Sequence, residues 1–170
     1  MSQNIRILIV VGVVVSIGLM LAGLGVWQLM QPAPPASAPT EGLIHVYVDG
    51  AFKANTSPAE IDKLPKTSFT DAEQGKTQDG PRLKDVILKY VEARSLSPTS
   101  EVRVEGAHRT DGAAKTVIIT WAEATDERNH VILDVSNDGL TVKLVSTLPR
   151  LDTRDEWVQG VSRIEVVTQP

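Results

Sequence analysis

The longest apolar run in the chain is ILIVVGVVVSIGLMLAGLGVWQLM, from Ile7 to Met30, and no charged residue follows it until Glu41. As a helix, this run extends about 36 Å, enough to cross a hydrocarbon core of about 30 Å with modest tilt. Beyond it the pattern changes. LIHVYVD (43–49) alternates apolar and polar positions with period two and ends at Asp49-Gly50, a strand followed by a turn signal. Ser57-Pro58-Ala59-Glu60 has the form of a capping box with proline at the first helical position, which predicts a short helix through Leu64. Pro81 predicts the start of a second helix, in which Leu83, Val86, Ile87, Tyr90 and Val91 follow the i, i+3, i+4, i+7, i+8 stripe of an amphipathic face. Strands are predicted at 101–105, 115–120, 130–135, 140–146 and 162–168. Asn137-Asp138-Gly139, between VILDV and LTVKLV, is the strongest hairpin signal. The pattern predicts an α+β chain: one N-terminal transmembrane helix, then a strand-rich domain with its helices outside the sheet.

Three segments follow: a tail and span over 1–30, a linker over 31–42 and an outer domain over 43–170. A secretory signal is the alternative for the first, but its apolar region is usually only ~7–15 residues. The one A-x-A-like site, Ala36-Ser37-Ala38, is followed by Pro39, a poor context for cleavage. Arg6 is the only charge near the span, which by the positive-inside rule places the N-terminus in the cytoplasm and the outer domain in the periplasm. Trp27 falls where an amphipathic ring meets the headgroups of the lipid bilayer. Two sets of small residues, Gly12, Ser16 and Gly23 on one face and Gly18, Ala22 and Gly25 on another, would let a neighbouring membrane helix approach closely. The linker QPAPPASAPT has four prolines in ten residues and reads as an extended spacer.

Charge and cysteine content narrow the chemistry. The chain holds 17 Lys+Arg and 21 Asp+Glu, and Arg6 is the only charged residue before Glu41, so the outer domain is acidic and no nucleic-acid partner is expected. With no cysteine in 170 residues, disulfides, thiolate nucleophiles and cysteine-ligated metals are excluded. His45, His108 and His130 are the only histidines and show no local metal-ligand spacing, so they are expected to be structural or solvated. No G-x-S-x-G elbow, Walker A or G-x-G-x-x-G pattern occurs. Asp152, Arg154, Asp155 and Glu156, just before Trp157, form a charged run that reads as a solvated loop or as a contact surface for a partner. Trp121 and Trp157 are expected in the core of a domain poor in aromatics.

The order of several segments resembles the oxidoreductase molybdopterin-binding domain, the sulfite-oxidase-like fold. They are the strand ending in VDG (48–50), SPAEIDKLP (57–65), RLKDVILKYVEA (82–93), EVRVEGAHRTDG (101–112) and the closing LVSTLPRLDTRDEWVQGVSRIEV (144–166). The resemblance spans about residues 43–167. It implies a molybdopterin cofactor whose metal is ligated by a cysteine, but the matching stretch KTSFTDAEQGKTQDGP (66–81) has none. Neutral hydroxyls at Ser68 or Thr70 do not replace a thiolate. The expectation is therefore a degenerate relative with no catalytic residue, cofactor or metal. It would be a non-catalytic accessory subunit that docks on a membrane protein complex, such as a respiratory or photosynthetic electron-transfer assembly. The alternatives are an anchored oxidoreductase, or partner of one, that still binds molybdopterin, and a tethered periplasmic binding module.

Overall fold

The computed structural model describes residues 42–168. All of them belong to the second of the two units into which the chain divides, Pro39–Pro170. The expected fold class needs correction. These residues are strand-rich, with 43% in strands and 16% in helices, and no helix among them is long and apolar enough to cross a membrane. Two of their three α-helices open on capping boxes, and none exceeds five residues. The span expected over 7–30, with Gly12, Ser16, Gly18, Ala22, Gly23, Gly25 and Trp27, lies outside the described residues. A single-pass topology with a cytoplasmic N-terminus and a periplasmic domain is thus unsupported.

The chain builds β1 (Ile44–Val48) and β2 (Ala51–Thr56), helix α1 (Pro58–Ile61), the pair β3 (Lys66–Thr70) and β4 (Thr77–Pro81), and helix α2 (Leu83–Ile87). β5 (Glu101–Ala107), β6 (Ala114–Thr120), helix α3 (Trp121–Thr125), β7 (Ile132–Val135), β8 (Val142–Val145) and β9 (Gln159–Val167) follow. Asp49 (φ 50°) and Gly50 (φ 77°) both sit in the left-handed region, as the two-residue hairpin turn from β1 to β2 requires. The Ser57 capping box forms: the Glu60 amide donates to Ser57 Oγ at 3.3 Å and the Ser57 amide to Glu60 Oε2 at 3.1 Å. A second box, Thr120 with Glu123, starts α3.

Five strands form one sheet in the order β2-β1-β9-β5-β6, in which only β1 and β9 run parallel. β3–β4 and β7–β8 are separate two-stranded hairpins. Alternate residues of the large sheet are buried: Ile44 and Val46, Val102 and Val104, Val117 and Ile119, Ile164 and Val166. All of these but Val46 form one cluster with Leu83, Val86 and Ile87 of α2 and Leu133 and Leu144 of the β7–β8 hairpin. Trp121 packs on the edge of this core, whereas Trp157 sits in a smaller cluster with Ile132, Val145 and Phe69. Gly80 brings β4 against β7, since a Cβ there would lie 2.2 Å from the Leu133 carbonyl oxygen. This close approach sets the two hairpins side by side, and a polar cleft opens along them.

Candidate functional site: a polar cleft between two hairpins

The turn from β3 to β4 is organised around Asp71. Its amide donates to the Lys76 carbonyl at 2.9 Å, its carbonyl accepts from Gly75 at 3.0 Å, and its Oδ1 accepts from the Gln74 amide at 2.7 Å. The residue is 3% exposed. A buried carboxylate must be paired or it surrenders its charge. Here Oδ2 accepts from Arg154 Nη2 at 2.8 Å and from Gln78 Nε2 at 2.9 Å. Burial pushes the Asp71 carboxyl up, but the Arg154 guanidinium, the Gln74 N–H and the Gln78 amide together outweigh it and hold the carboxyl at about 2.

Gln78 extends the network to the other hairpin, where its Oε1 accepts from Lys143 Nζ at 2.7 Å. Lys143 lies directly across from Asp134 in the β7–β8 register, and their side chains pair at 3.1 Å. Burial raises the Asp134 carboxyl and Lys143 opposes the shift. The result is a line of groups, Asp134–Lys143–Gln78–Asp71–Arg154, made of two ion pairs joined by an amide. Along it runs a cleft of about 430 Å³ lined by Lys76, Gln78, Asp79, Asp134, Lys143 and Arg154 among others. A neighbouring cleft of about 360 Å³, toward Asp62 and Lys66, shares Asp79 and Val135–Asn137. A third, of about 460 Å³ beside Trp121, is lined by a single charged side chain, Asp126.

Arg154 is fixed from three sides. Its backbone amide donates to Glu73 Oε2 at 3.0 Å, its Nη2 is held by Asp71, and its guanidinium lies 5.7 Å from the Trp157 ring centre. The side chain is 11% exposed, and its buried Nε finds no acceptor among the described residues. Nη1 donates to none of them either, although Arg154 lines the cleft. Lys76, at the end of the same turn, has no carboxylate within 4.0 Å among the described residues. The cleft can therefore receive a negatively charged group. Of the two buried carboxylates, Asp71 is held low and stays ionised, whereas Asp134 is raised by burial despite its pair with Lys143.

The charged run picked out in the sequence is divided by the structure. Arg154 turns inward to Asp71, while Asp155 and Glu156 are exposed and reach the β5–β6 hairpin. The Asp155 carbonyl accepts from Lys115 Nζ, its carboxylate is 4.0 Å from Arg109, and Glu156 is 3.6 Å from Lys115. Asp152 is exposed. The histidines lie apart: His45 bonds Asn55 on the sheet at 2.7 Å, His108 sits 3.3 Å from Asp111, and His130 stacks on Phe69 at 5.5 Å. Asp71, Lys76, Gln78, Asp134 and Lys143 were not singled out by sequence. One signal was available for two of them, because a hairpin centred on Asp138-Gly139 sets 134 opposite 143.

No family model matches the chain, and no characterised protein matches it. The likeness to the molybdopterin-binding domain thus rests on the segments quoted above. Nor does the cleft suit that cofactor's metal. Segment 66–81, which the resemblance aligns with the ligating cysteine, forms β3–β4, and its contribution to the cleft is amine, hydroxyl, amide and carboxylate rather than thiolate.

Proposed function

We propose that this chain is a non-catalytic accessory domain that docks on a partner protein by receiving an acidic group of that partner in the cleft between the two hairpins. The observation that carries this reading is the immobilised Arg154. Its Nη2 is anchored by the buried Asp71, Arg154 lines the cleft, and its Nη1 donates to no acceptor among the described residues. A guanidinium held in place loses little further entropy when a carboxylate arrives and presents a fixed donor to it. Lys76 adds a mobile positive charge beside it, suited to capture before docking. The charges deeper in the cleft are already spent on each other, which favours recognition over turnover. The resemblance noted in the sequence makes an oxidoreductase assembly the first place to look for the partner.

The test is gentle extraction of the full chain from its native source, sizing, and identification of proteins that co-migrate in fixed ratio. The expected result is a complex well above 18.4 kDa that is lost with Lys76→Glu and retained with Lys76→Arg. Migration of the wild-type chain alone, or a complex indifferent to Lys76→Glu, would overturn the reading.

A further inference from the structure

The outer face of the five-stranded sheet carries two transverse rows that the strand registers define. Tyr47 lies opposite Phe52 and Glu165, Glu165 opposite Arg103, and Arg103 opposite Ile118, giving the row Phe52–Tyr47–Glu165–Arg103–Ile118 across all five strands. The next row, by the same pairings, is Asn55–His45–Arg163–Glu105–Thr116. A solvated sheet face normally sheds its large apolar side chains. This one keeps Phe52 at 55% exposure on one edge strand and Ile118 at 47% on the other. The centre is charged and alternates in sign, with Arg103 on Glu101 at 2.9 Å and Arg163 on Glu165 at 3.1 Å. Arg163 also covers the Tyr47 ring at 4.1 Å, yet its Nε has no hydrogen-bond acceptor among the described residues, the Glu105 carboxylate standing 3.8 Å away.

These rows are complementary to themselves. A two-fold axis parallel to the strands and running between β9 and β5 preserves height along the strands and exchanges the two sides of the face. It sets Glu165 over Arg103 of a second copy, Arg163 over Glu105, and Tyr47 over Ile118, and each contact occurs twice, as an isologous interface demands. We propose that two copies of this chain pair face to face through this surface, with opposite charges matched at the centre and apolar side chains at the flanks. The overlap under this axis is the four strands β1, β9, β5 and β6, about 19 Å wide by about 24 Å long, from strand spacings of about 4.8 Å and seven-residue strands at about 3.4 Å per residue, with Phe52 of β2 at its rim. That area is at the low end for a specific interface, so the dimer forms at high protein concentration and weakens with salt. The surface is separate from the hairpin cleft, and neither proposal depends on the other.

The absence of cysteine gives a clean test on the full chain. Cysteines introduced by Tyr47→Cys with Ile118→Cys face each other between copies, whereas within one copy they are three strand spacings apart, about 14 Å, beyond a short bis-maleimide. The expected result is a covalent band at twice the chain mass. It should fall at least fivefold with Arg103→Glu and be restored by Arg103→Glu combined with Glu165→Arg, which reverses the match without losing it. A second disrupting variant, Glu105→Arg, should act like Arg103→Glu, and circular dichroism of each variant shows that the fold is kept. No cross-link in the starting pair, or a cross-link unchanged by both single charge reversals, overturns the proposal.

Discussion

Replacing Arg154 with methionine removes the guanidinium from a carboxylate that stays buried. Breaking a buried ion pair from one side costs about 3–5 kcal/mol, because the remaining charge is left uncompensated. In this site two donors stay on Asp71, the Gln74 amide and the Gln78 side chain, and each returns about 1 kcal/mol. The unsatisfied Nε of Arg154 also disappears, a small relief. The expected net loss is about 1–3 kcal/mol, read as a lower urea midpoint at unchanged slope with the fluorescence of the buried Trp157 among the signals. The pH dependence gives a sharper signature. In the wild type, Asp71 is held at about 2, below the usual carboxylate value, so it contributes stability that is present above about pH 4 and is lost as pH falls toward 2. Without Arg154 the hydrogen bond and charge that lower the carboxyl most are gone, so it rises from its wild-type value and the variant loses less stability on acidification. The gap between variant and wild type should narrow steadily as pH falls below 5. Adding Asp71→Asn to Arg154→Met should recover much of the loss at pH 7. A variant as stable as wild type at pH 7, or a gap that widens on acidification, would refute the account of this pair.

Two further perturbations test the packing around the cleft. Gly80→Ala places a methyl 2.2 Å from the Leu133 carbonyl oxygen, backbone that cannot rotate away. It should cost about 2–3 kcal/mol by thermal unfolding, and an unchanged midpoint would mean that β4 and β7 are not held so closely. Trp157→Phe keeps most of the apolar bulk but deletes the Nε1–H donor to the Leu151 carbonyl at 2.8 Å; a loss of about 1–3 kcal/mol by urea titration is expected, with less than 0.5 kcal/mol, the usual scatter of a surface change, counting against that bond.

The elements most legible in the sequence are those whose local signals and burial agree. LIHVYVD alternates because one side of β1 faces the core, and the Ser57 box forms because its donors and acceptors are all local. The stripe Leu83, Val86, Ile87 and Val91 is buried even though the regular helix stops at Ile87, because hydrogen-bonded turns carry the chain on to Val91. β2, β3 and β4 gave no such signal. AFKANT is an edge strand with mostly exposed side chains, KTSFT alternates only weakly, and TQDGP contains the Gly-Pro that usually marks a loop. Gly80 is there for its close approach to β7, which no local rule can see. The cleft was hidden for the same reason. Its members come from five separate segments, and only the Asp134–Lys143 pair follows from a local count. Arg154 looked like one charge among four, and what sets it apart is the buried Asp71 that lies 83 residues away in sequence.

The place of β9 in the sheet has a consequence for how the domain is made. It is the central strand, flanked by β1 on one side and β5 on the other, and it is synthesised after all eight of the others. Until it leaves the ribosome, β1–β2 and β5–β6 are two hairpins with no shared neighbour, each with an unpaired edge that can capture other extended chains. Translation at roughly 5–20 residues per second leaves β1 waiting for several seconds. Ribosome-bound chains stopped before Gln159 should therefore be the form of this protein most in need of a chaperone, and release of β9 the step that closes the fold at once rather than in stages.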